Sequence, residues 1–340
     1  MSHIQTLPPG PLAIIGDIHG ELDALDALLS HLDANHPDHH IVFLGDLADR
    51  GPDSPGVIRR VRERMALGAQ CVLGNHELSV VRGKDKGYNR WFFSEGGSWR
   101  PAVTDGEVVP METLPPSSRD DVSSFFADLP LALEREDLRV VHACWDEEAI
   151  KAVRHSARST LELFESGPSN DLPEPEANLI EGHRLSMRDD AWEAQEAMQQ
   201  NGNVIAVLTS GKERSADVSK GDKIIWSGGK WRPLVRDRWW DSYDGDIPVV
   251  VGHYSHNWRP EDRDEKTAQM FPEGGPPGAP VGPRNNVYCI DYGVGARFQE
   301  RHQGVSSDFS GRLAALLWRD DGPPQLLFDD KRYVQTSSTE

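Results

Sequence analysis

The chain has 340 residues, which is enough for one large domain with insertions or for two domains. Its 55 acidic residues outnumber its 36 basic ones, and the formal charge of -19 would repel duplex nucleic acid and an anionic membrane surface. We therefore expect no free nucleic acid and no membrane as partner, whereas a small phosphorylated ligand is compatible with bound cations that reverse the local field.

The chain begins with an alternation of short apolar runs and amphipathic segments. The runs at 12–17, 41–46 and 69–75 have the length of strands and end in glycine and polar residues. Between them, segments 21–33 and 54–68 carry apolar residues at helical spacing. This β-α-β-α-β order predicts an α/β fold.

Later strand candidates follow one another with few helices between them, which favours a mixed layered sheet over a purely parallel one. These candidates are 138–143, 247–253, 286–293, 311–318 and 325–330. Two segments interrupt the scaffold: 83–135 is aromatic and loop-rich, and 154–245 contains several tryptophans and a helical stretch at 189–200. We expect a single domain over 1–340, in which insertions 83–135 and 154–245 form a cap on the substrate side.

The cysteines and the N-terminus bear on the compartment. Cys71, Cys144 and Cys289 form no CxxC pair and lie in or beside apolar runs, which predicts reduced, buried thiols. The N-terminal residues lack a basic, long apolar leader, and no run of about 18 apolar residues occurs. A soluble, cytoplasmic protein is therefore expected.

Five candidate strands end in residue types that bind metals. The candidate ligands are Asp17, His19, Asp46, Asn75, His142 and His253. Because ligands of α/β sheets bind beyond the carboxyl ends of the strands, one edge of the sheet would gather them. Carboxylate, imidazole and amide groups together suit Mn, Fe or Zn better than Ca or Cu. We predict two divalent or trivalent metal ions, with manganese preferred, and Asp46 on the middle strand as the residue that bridges them.

Three further residues suit catalysis beside such metals. Arg50 lies four residues beyond Asp46, where its guanidinium fork can hold two phosphoryl oxygens. His76 directly follows Asn75 without being needed as a ligand, which suits a general acid, and Asp49 at its other nitrogen would fix the tautomer. Two alternatives remain open: Asp49 as the N-cap of a helix, and Arg50 as the partner of a surface ion pair.

These residues predict a reaction class. Two metal ions would deprotonate a water between them, and the hydroxide would attack a phosphoryl group of a phosphate monoester, from a phosphoprotein or a small molecule. An ATPase is not supported, because the chain has no GxxxxGK[ST] loop. A non-catalytic, metal-dependent binding protein is the alternative class, although such a protein would need no proton donor.

The motifs GDIHG, GDLADRG and GNHE, together with His142 and a late Gly252-His253, resemble the phosphoprotein-phosphatase branch of the calcineurin-like metallophosphoesterases. This branch includes bacterial symmetrical diadenosine tetraphosphatases. The resemblance covers 12–145 and 246–330, and it implies a mixed β-sandwich flanked by helices. It also implies the Asp49–His76 pair and a phosphate-binding Arg50. For the metals it implies one ion held by Asp17, His19 and Asp46, and one held by Asp46, Asn75, His142 and His253.

The substrate is less strongly indicated than the reaction. Glu77 at the end of GNHE favours the protein-phosphatase-like members, and a dinucleoside polyphosphate such as diadenosine tetraphosphate is the alternative. The resemblance further implies a second phosphate-binding arginine before the last histidine, for which Arg236 and Arg238 are the candidates. Arg238 is preferred, because it adjoins two tryptophans that would wall a pocket.

Overall fold

The computed structural model describes residues 2–94, 110–168, 197–217, 225–227, 230–232, 234–259, 265–271, 275–319 and 322–336. The strands are β1 (Ile4–Thr6), β2 (Leu12–Ile15), β3 (His40–Phe43), β4 (Gln70–Cys71), β5 (Ala132–Arg135), β6 (Leu138–Val141), β7 (Glu213–Ser215), β8 (Ile225–Ser227), β9 (Lys230–Arg232), β10 (Leu234–Arg236), β11 (Val249–Val251), β12 (Val287–Cys289), β13 (Ala314–Trp318), β14 (Gln325–Phe328) and β15 (Tyr333–Gln335). The helices are α1 (Leu22–Asn35), α2 (Ser54–Ala66), α3 (Asn75–Val81), α4 (Arg90–Phe93), α5 (Arg119–Ala127), α6 (Glu147–Arg154), α7 (Thr160–Ser166), α8 (197–202), α9 (Val204–Ser210), α10 (Glu265–Met270) and α11 (Ala296–His302). Within these ranges, no helix combines the length and the apolar character that a bilayer crossing requires.

Two mixed sheets form the scaffold. The six-stranded sheet has the order β15-β14-β13-β2-β3-β4, in which β2, β3 and β4 are parallel and β13 is antiparallel to β2. The five-stranded sheet has the order β1-β5-β6-β11-β12, with β6, β11 and β12 parallel and β5 antiparallel to β6. The mixed layered arrangement predicted from the sequence is therefore confirmed.

The alternation of side chains along the strands explains how the sheets pack. On β2, Leu12 and Ile14 belong to a buried cluster formed by strands of both sheets, whereas Ala13 and Ile15 belong to a second cluster that includes residues of α1 and α2. Successive strand residues point to opposite faces, so one face of β2 meets the other sheet and one face meets helices. This confirms the predicted β-sandwich flanked by helices.

The observed fold differs from the fold predicted from the sequence mainly in its short strands. Residues 132–135, at the end of the predicted insertion 83–135, form β5 inside the five-stranded sheet, so the insertion ends before this strand. In the predicted strand 69–75, Gln70 and Cys71 pair with β3, and the backbone N–H of Val72 still donates to the Phe43 carbonyl at 3.0 Å. The strand ends there, because the backbone N–H of Leu73 donates to the carbonyl of Pro130 instead. Of the predicted helical stretch 189–200, residues 197–200 are helical and the remainder lie outside the described residues.

Candidate metal centre

The six predicted ligands converge where strands of both sheets end. β2 and β3 of the six-stranded sheet lead into Asp17, His19 and Asp46, and β6 and β11 of the five-stranded sheet lead into His142 and His253. The Nε2 atom of His142 lies 3.3 Å from Oδ1 of Asp46. Asn75, the first residue of α3, places its Oδ1 atom 2.8 Å from Nδ1 of His253 and 3.3 Å from Nε2 of His142.

Asp46 lies between two groups of side chains that can hold a metal ion. Its Oδ2 atom faces His19 and His76, at 3.8 and 3.7 Å from their Nε2 atoms, and its Oδ1 atom faces His142. His19, Asp46 and His76 form one group, and Asp46, His142 and His253 form the other, with ligand atoms within 4.8 Å of one another. Two carboxylate oxygens that face two ligand groups are the arrangement required for a bridging ligand.

Several side chains of the centre lie on strained backbone. A positive φ is uncommon for residues other than glycine, and clusters of such residues mark functional sites. These residues are His19 (φ 49°), Asp46 (φ 47°), Asp49 (φ 74°), Arg50 (φ 71°) and His253 (φ 63°). The turns after β2, β3 and β11 are therefore sharp, and packing around them must compensate for their cost.

Glu77 holds the turn that carries Asp46. Its buried carboxylate accepts hydrogen bonds from the backbone N–H groups of Asp46 (2.8 Å), Leu47 (2.9 Å) and Ala48 (3.3 Å). A Cβ atom at Gly74 would lie 2.3 Å from the Asp46 nitrogen, so only glycine fits there. From the sequence, Glu77 indicated only a resemblance to protein phosphatases, whereas these hydrogen bonds show that it stabilises the turn.

The histidine ring nitrogens fit metal ligands. Nδ1 of His19 lies 3.1 Å from the Ala48 carbonyl, and Nδ1 of His142 lies 2.6 Å from the Leu44 carbonyl, so both rings carry their proton on this side. Among the described residues, Nε2 of His19 is buried without a hydrogen-bond partner. The lone pairs of both Nε2 atoms then face the Asp46 carboxylate, and this repulsion is relieved only by a cation or a proton.

The electrostatics of the centre also favour a bound cation or proton beside Asp46. Burial alone would raise the pKa of Asp46, but His142 and His76 hold it well below its usual range. Burial opposes protonation of His142, yet the Asp46 carboxylate raises its pKa to about 10. Burial and the Arg50 guanidinium lower the pKa of His19. A metal ion bound beside His142 would have to displace a proton, so metal binding would release protons.

Asp291 is a further buried carboxylate, outside the set of ligands predicted from the sequence. Burial, and then the charge of Asp291, raise the pKa of Asp17 well above its usual range. Asp17 accepts the backbone N–H of His253 at 3.2 and 3.1 Å, and a Cβ atom at Gly252 would lie 2.1 Å from its Oδ1 atom. Asp291 follows β12 as Asp17 follows β2, so its position at a strand end was the available signal. Paired buried carboxylates favour a cation between or beside them.

His76 and Asp49 form the predicted pair. Nδ1 of His76 lies 2.5 Å from Oδ2 of Asp49, and the Trp91 indole N–H donates to the other Asp49 oxygen. The alternative that Asp49 caps a helix is wrong, because Asp53 caps α2 and accepts the backbone N–H of Gly56. Asp49 is thus held from both sides within a buried site.

Replacing Trp91 with phenylalanine is expected to lower kcat/KM for phosphate esters with poor leaving groups about tenfold, since a hydrogen bond to a charged acceptor is lost. Phenylalanine keeps most of the buried apolar volume, so the metal content should not change. Steady-state kinetics on good and poor leaving groups test this. Trp145→Phe is the matched control, because the Trp145 indole donates to Glu147 instead. Equal losses in both variants would contradict a positioning role for Trp91.

Arg50 and the two candidates for a second phosphate-binding arginine differ in their contacts. Arg50 is exposed, and its charge affects both His19 and His76. Arg236 donates to the backbone carbonyl of His253 at 2.9 Å. Arg238, which the sequence analysis preferred, pairs with Asp241 at 3.1 Å. These contacts favour Arg236 over Arg238 as the arginine beside the centre.

An aromatic ring covers His76. The Tyr88 ring centroid lies 4.9 Å from that of His76 with an interplanar angle of 43°, and Tyr88 is 40% exposed whereas His76 is buried. Burial raises the pKa of Tyr88 to about 12, with Asp49 and Asp46 adding to the shift. The ring is therefore uncharged at neutral pH. Tyr88 lies outside the sequence motifs, so its position beside His76 could not be predicted from them.

The part of the chain that matches known proteins contains most residues of this centre. Residues 10–211, more than half of the chain, match the family model described as calcineurin-like phosphoesterase. A symmetrical bis(5'-nucleosyl)-tetraphosphatase from Janthinobacterium sp. (strain Marseille) is 28% identical over 252 residues, which are 71% of this chain and 81% of that relative. A protein of the same description from Yersinia enterocolitica is 46% identical over 69 residues, 20% of this chain and 23% of the relative. A solved protein serine/threonine phosphatase from Saccharomyces cerevisiae is similar with a TM-score of 0.48 and 11% identity, covering 100% of this chain and 85% of that one.

Proposed function

Because the chain belongs to the calcineurin-like phosphoesterase family, and is thus a hydrolase of phosphoester bonds, we propose that it hydrolyses phosphate monoesters at a two-metal centre. The proposed ligands are Asp17, His19, Asp46, Asn75, His142 and His253. The observation that carries the proposal is the position of Asp46, whose two oxygens face two groups of potential ligands beside the His76–Asp49 pair. A pure binding protein would have no use for such a pair.

The metals are expected to be manganese, with iron or zinc as alternatives, because the ligands combine carboxylate, imidazole and amide groups. When bound, the two ions would supply an activated water and neutralise phosphoryl oxygens. The chain's own residues then have separate tasks. Arg50 and Arg236 hold the phosphoryl group through charge-assisted hydrogen bonds. His76 holds a proton for the leaving oxygen, and Asp49 with Trp91 keeps its ring in place.

Replacing Arg236 with glutamine is expected to raise KM for a phosphate ester about tenfold, since a charge-assisted hydrogen bond to the phosphoryl group is lost. Arg238→Gln is the matched control and should leave KM within about twofold, because Arg238 pairs with Asp241. Inhibition by inorganic phosphate should weaken in parallel with KM. The opposite pattern, with the larger effect from Arg238, would restore the original preference for Arg238. Metal content is measured in both variants, because Arg236 also bonds to the His253 carbonyl.

A dinucleoside polyphosphate is the second candidate substrate. The observation that favours it is the match of 71% of the chain to a relative named symmetrical bis(5'-nucleosyl)-tetraphosphatase. Both candidates present a phosphorus–oxygen bond to the same centre, so the metal ligands do not discriminate between them. We propose a cytoplasmic enzyme whose partners are such small molecules or a phosphoprotein. Insertion 154–245 and the part of insertion 83–135 that precedes β5 would form the substrate-side cap.

A side-by-side panel tests both candidates. Aryl phosphates, nucleotides, phosphopeptides and diadenosine tetraphosphate are assayed with added manganese and after removal of metals. The main proposal expects turnover of monoesters that depends on metal. Turnover of diadenosine tetraphosphate alone would favour the second candidate. Full activity without metal would contradict the mechanism, and two bound metals without any turnover would favour a binding protein.

A further inference from the structure

His76 contacts two other rings. The His19 ring lies 4.7 Å away, edge-on at 74°, and belongs to the group that contains Asp46. The Tyr88 ring lies 4.9 Å away and is 40% exposed, whereas His76 itself is 4% exposed. Of these three rings, Tyr88 is the one with substantial exposure to solvent.

The segment between α3 and α4 holds Tyr88 in this position. The buried Asn89 side chain accepts the backbone N–H of Lys86 at 2.9 Å and donates to the Lys84 carbonyl at 2.8 Å. Asp85 accepts the backbone N–H of Gly87 at 2.8 Å. The residues on both sides of Tyr88 are thus fixed by hydrogen bonds, which limits the positions that the ring can take.

The position of the leaving group follows from the proposed function, on which this inference rests. A proton passes from His76 to the ester oxygen only if the two atoms come within about 3.2 Å of each other. Because the partly exposed Tyr88 ring packs on His76, we expect atoms attached to that oxygen to lie beside this ring. Aromatic rings attract each other at centroid separations of about 4.5–7 Å, so an aromatic leaving group would find a partner there.

We propose that Tyr88 is a specificity-determining residue that contacts the leaving group and favours aryl phosphate monoesters over alkyl ones. The contact is between uncharged rings, so it neither repels the phosphoryl group nor depends on pH near neutrality. The chemical class of substrate is a phosphate monoester of a phenol, whether a small molecule or an aryl side chain of a peptide. An alkyl ester reaches the same proton on His76 but gains little from the ring.

The test compares an aryl phosphate with a fluoroalkyl phosphate whose leaving alcohol has matched acidity, on the manganese-loaded full-length protein. Tyr88→Leu is expected to lower kcat/KM for the aryl ester about fivefold, mainly through KM, and to change the fluoroalkyl ester less than about twofold. Tyr88→Phe keeps the ring and should keep the selectivity. Tyr333→Leu is the matched control, since Tyr333 is exposed to a similar extent (44%) but lies on the edge strand β15.

The outcomes separate this inference from the proposed function. Equal losses for both esters in Tyr88→Leu, including complete loss of both activities, would overturn the specificity role, because a disturbed His76 affects both leaving groups of matched acidity. Unchanged selectivity would overturn it as well. In either case a wild-type enzyme that hydrolyses both esters leaves the proposed function standing. A metal-loaded wild type that hydrolyses neither ester contradicts the proposed function itself.

Discussion

Replacing Asp46 with asparagine is expected to remove at least one metal ion and to lower kcat/KM about a thousandfold or more. The two Asp46 oxygens face separate groups of ligands, and an amide offers one oxygen and no charge. The loss should not reflect misfolding, because asparagine tolerates the positive φ of 47° at this position. Metal analysis by mass spectrometry and kinetics on an aryl phosphate measure both effects.

A matched control lies on the same loop. Asp53→Asn makes the same chemical change at the N-cap of α2, where asparagine caps as well as aspartate. This variant should keep its metals and its activity. Full metal content and full activity in Asp46→Asn would contradict both the bridging role and the proposed chemistry.

Replacing His76 with asparagine is expected to lower kcat/KM about 10²- to 10⁴-fold for esters with poor leaving groups, and far less for esters with good ones. A poor leaving group needs a proton as it departs, whereas a good one leaves as an anion. The geometry supports this role, because Asp49 holds Nδ1 of His76 while Nε2 faces the ligand group that includes Asp46.

The experiment measures kcat/KM over a series of aryl phosphates and plots it against the acidity of the leaving phenol. His40→Asn, on the exposed first residue of β3, makes the same change away from the centre and should leave the plot unchanged. An equal loss along the whole series in His76→Asn would show that His76 is not the proton donor. Metal content is measured alongside, because the His76 ring also lies near Asp46.

The positions of Asp17 and Asp46 could be predicted from the sequence, because parallel strands end at the same edge of a sheet. β2 and β3 are short, apolar and separated by a regular amphipathic helix, so the placement of Asp17 and Asp46 followed from simple periodicity. β1 and β5 were not predicted, because three or four residues with polar members carry little periodic signal. Their place in the five-stranded sheet depends on pairing between segments far apart in sequence.

The sequence also could not predict the roles of residues that act through contacts with distant parts of the chain. The hydrogen bond from Trp91 to Asp49 and the packing of Tyr88 on His76 depend on how α4 folds back onto the loop after β3. Nothing in the local pattern around these two aromatics distinguishes them from core residues. The sequence could not separate Arg236 from Arg238 for a similar reason, since two arginines only two residues apart have different partners at the end of β10.

The origin of the ligands in two different sheets has a consequence for the stability of the whole domain. Asp17 and His253 are separated by 236 residues, yet the His253 backbone N–H bonds to the Asp17 carboxylate across the seam between the sheets. Ions bound at this seam would act as cross-links that the unfolded chain cannot form. At a free metal concentration one hundred times the dissociation constant, a single such site would add about 2.7 kcal/mol to the free energy of unfolding. Catalytic competence and thermal resistance would then vary together with metal supply.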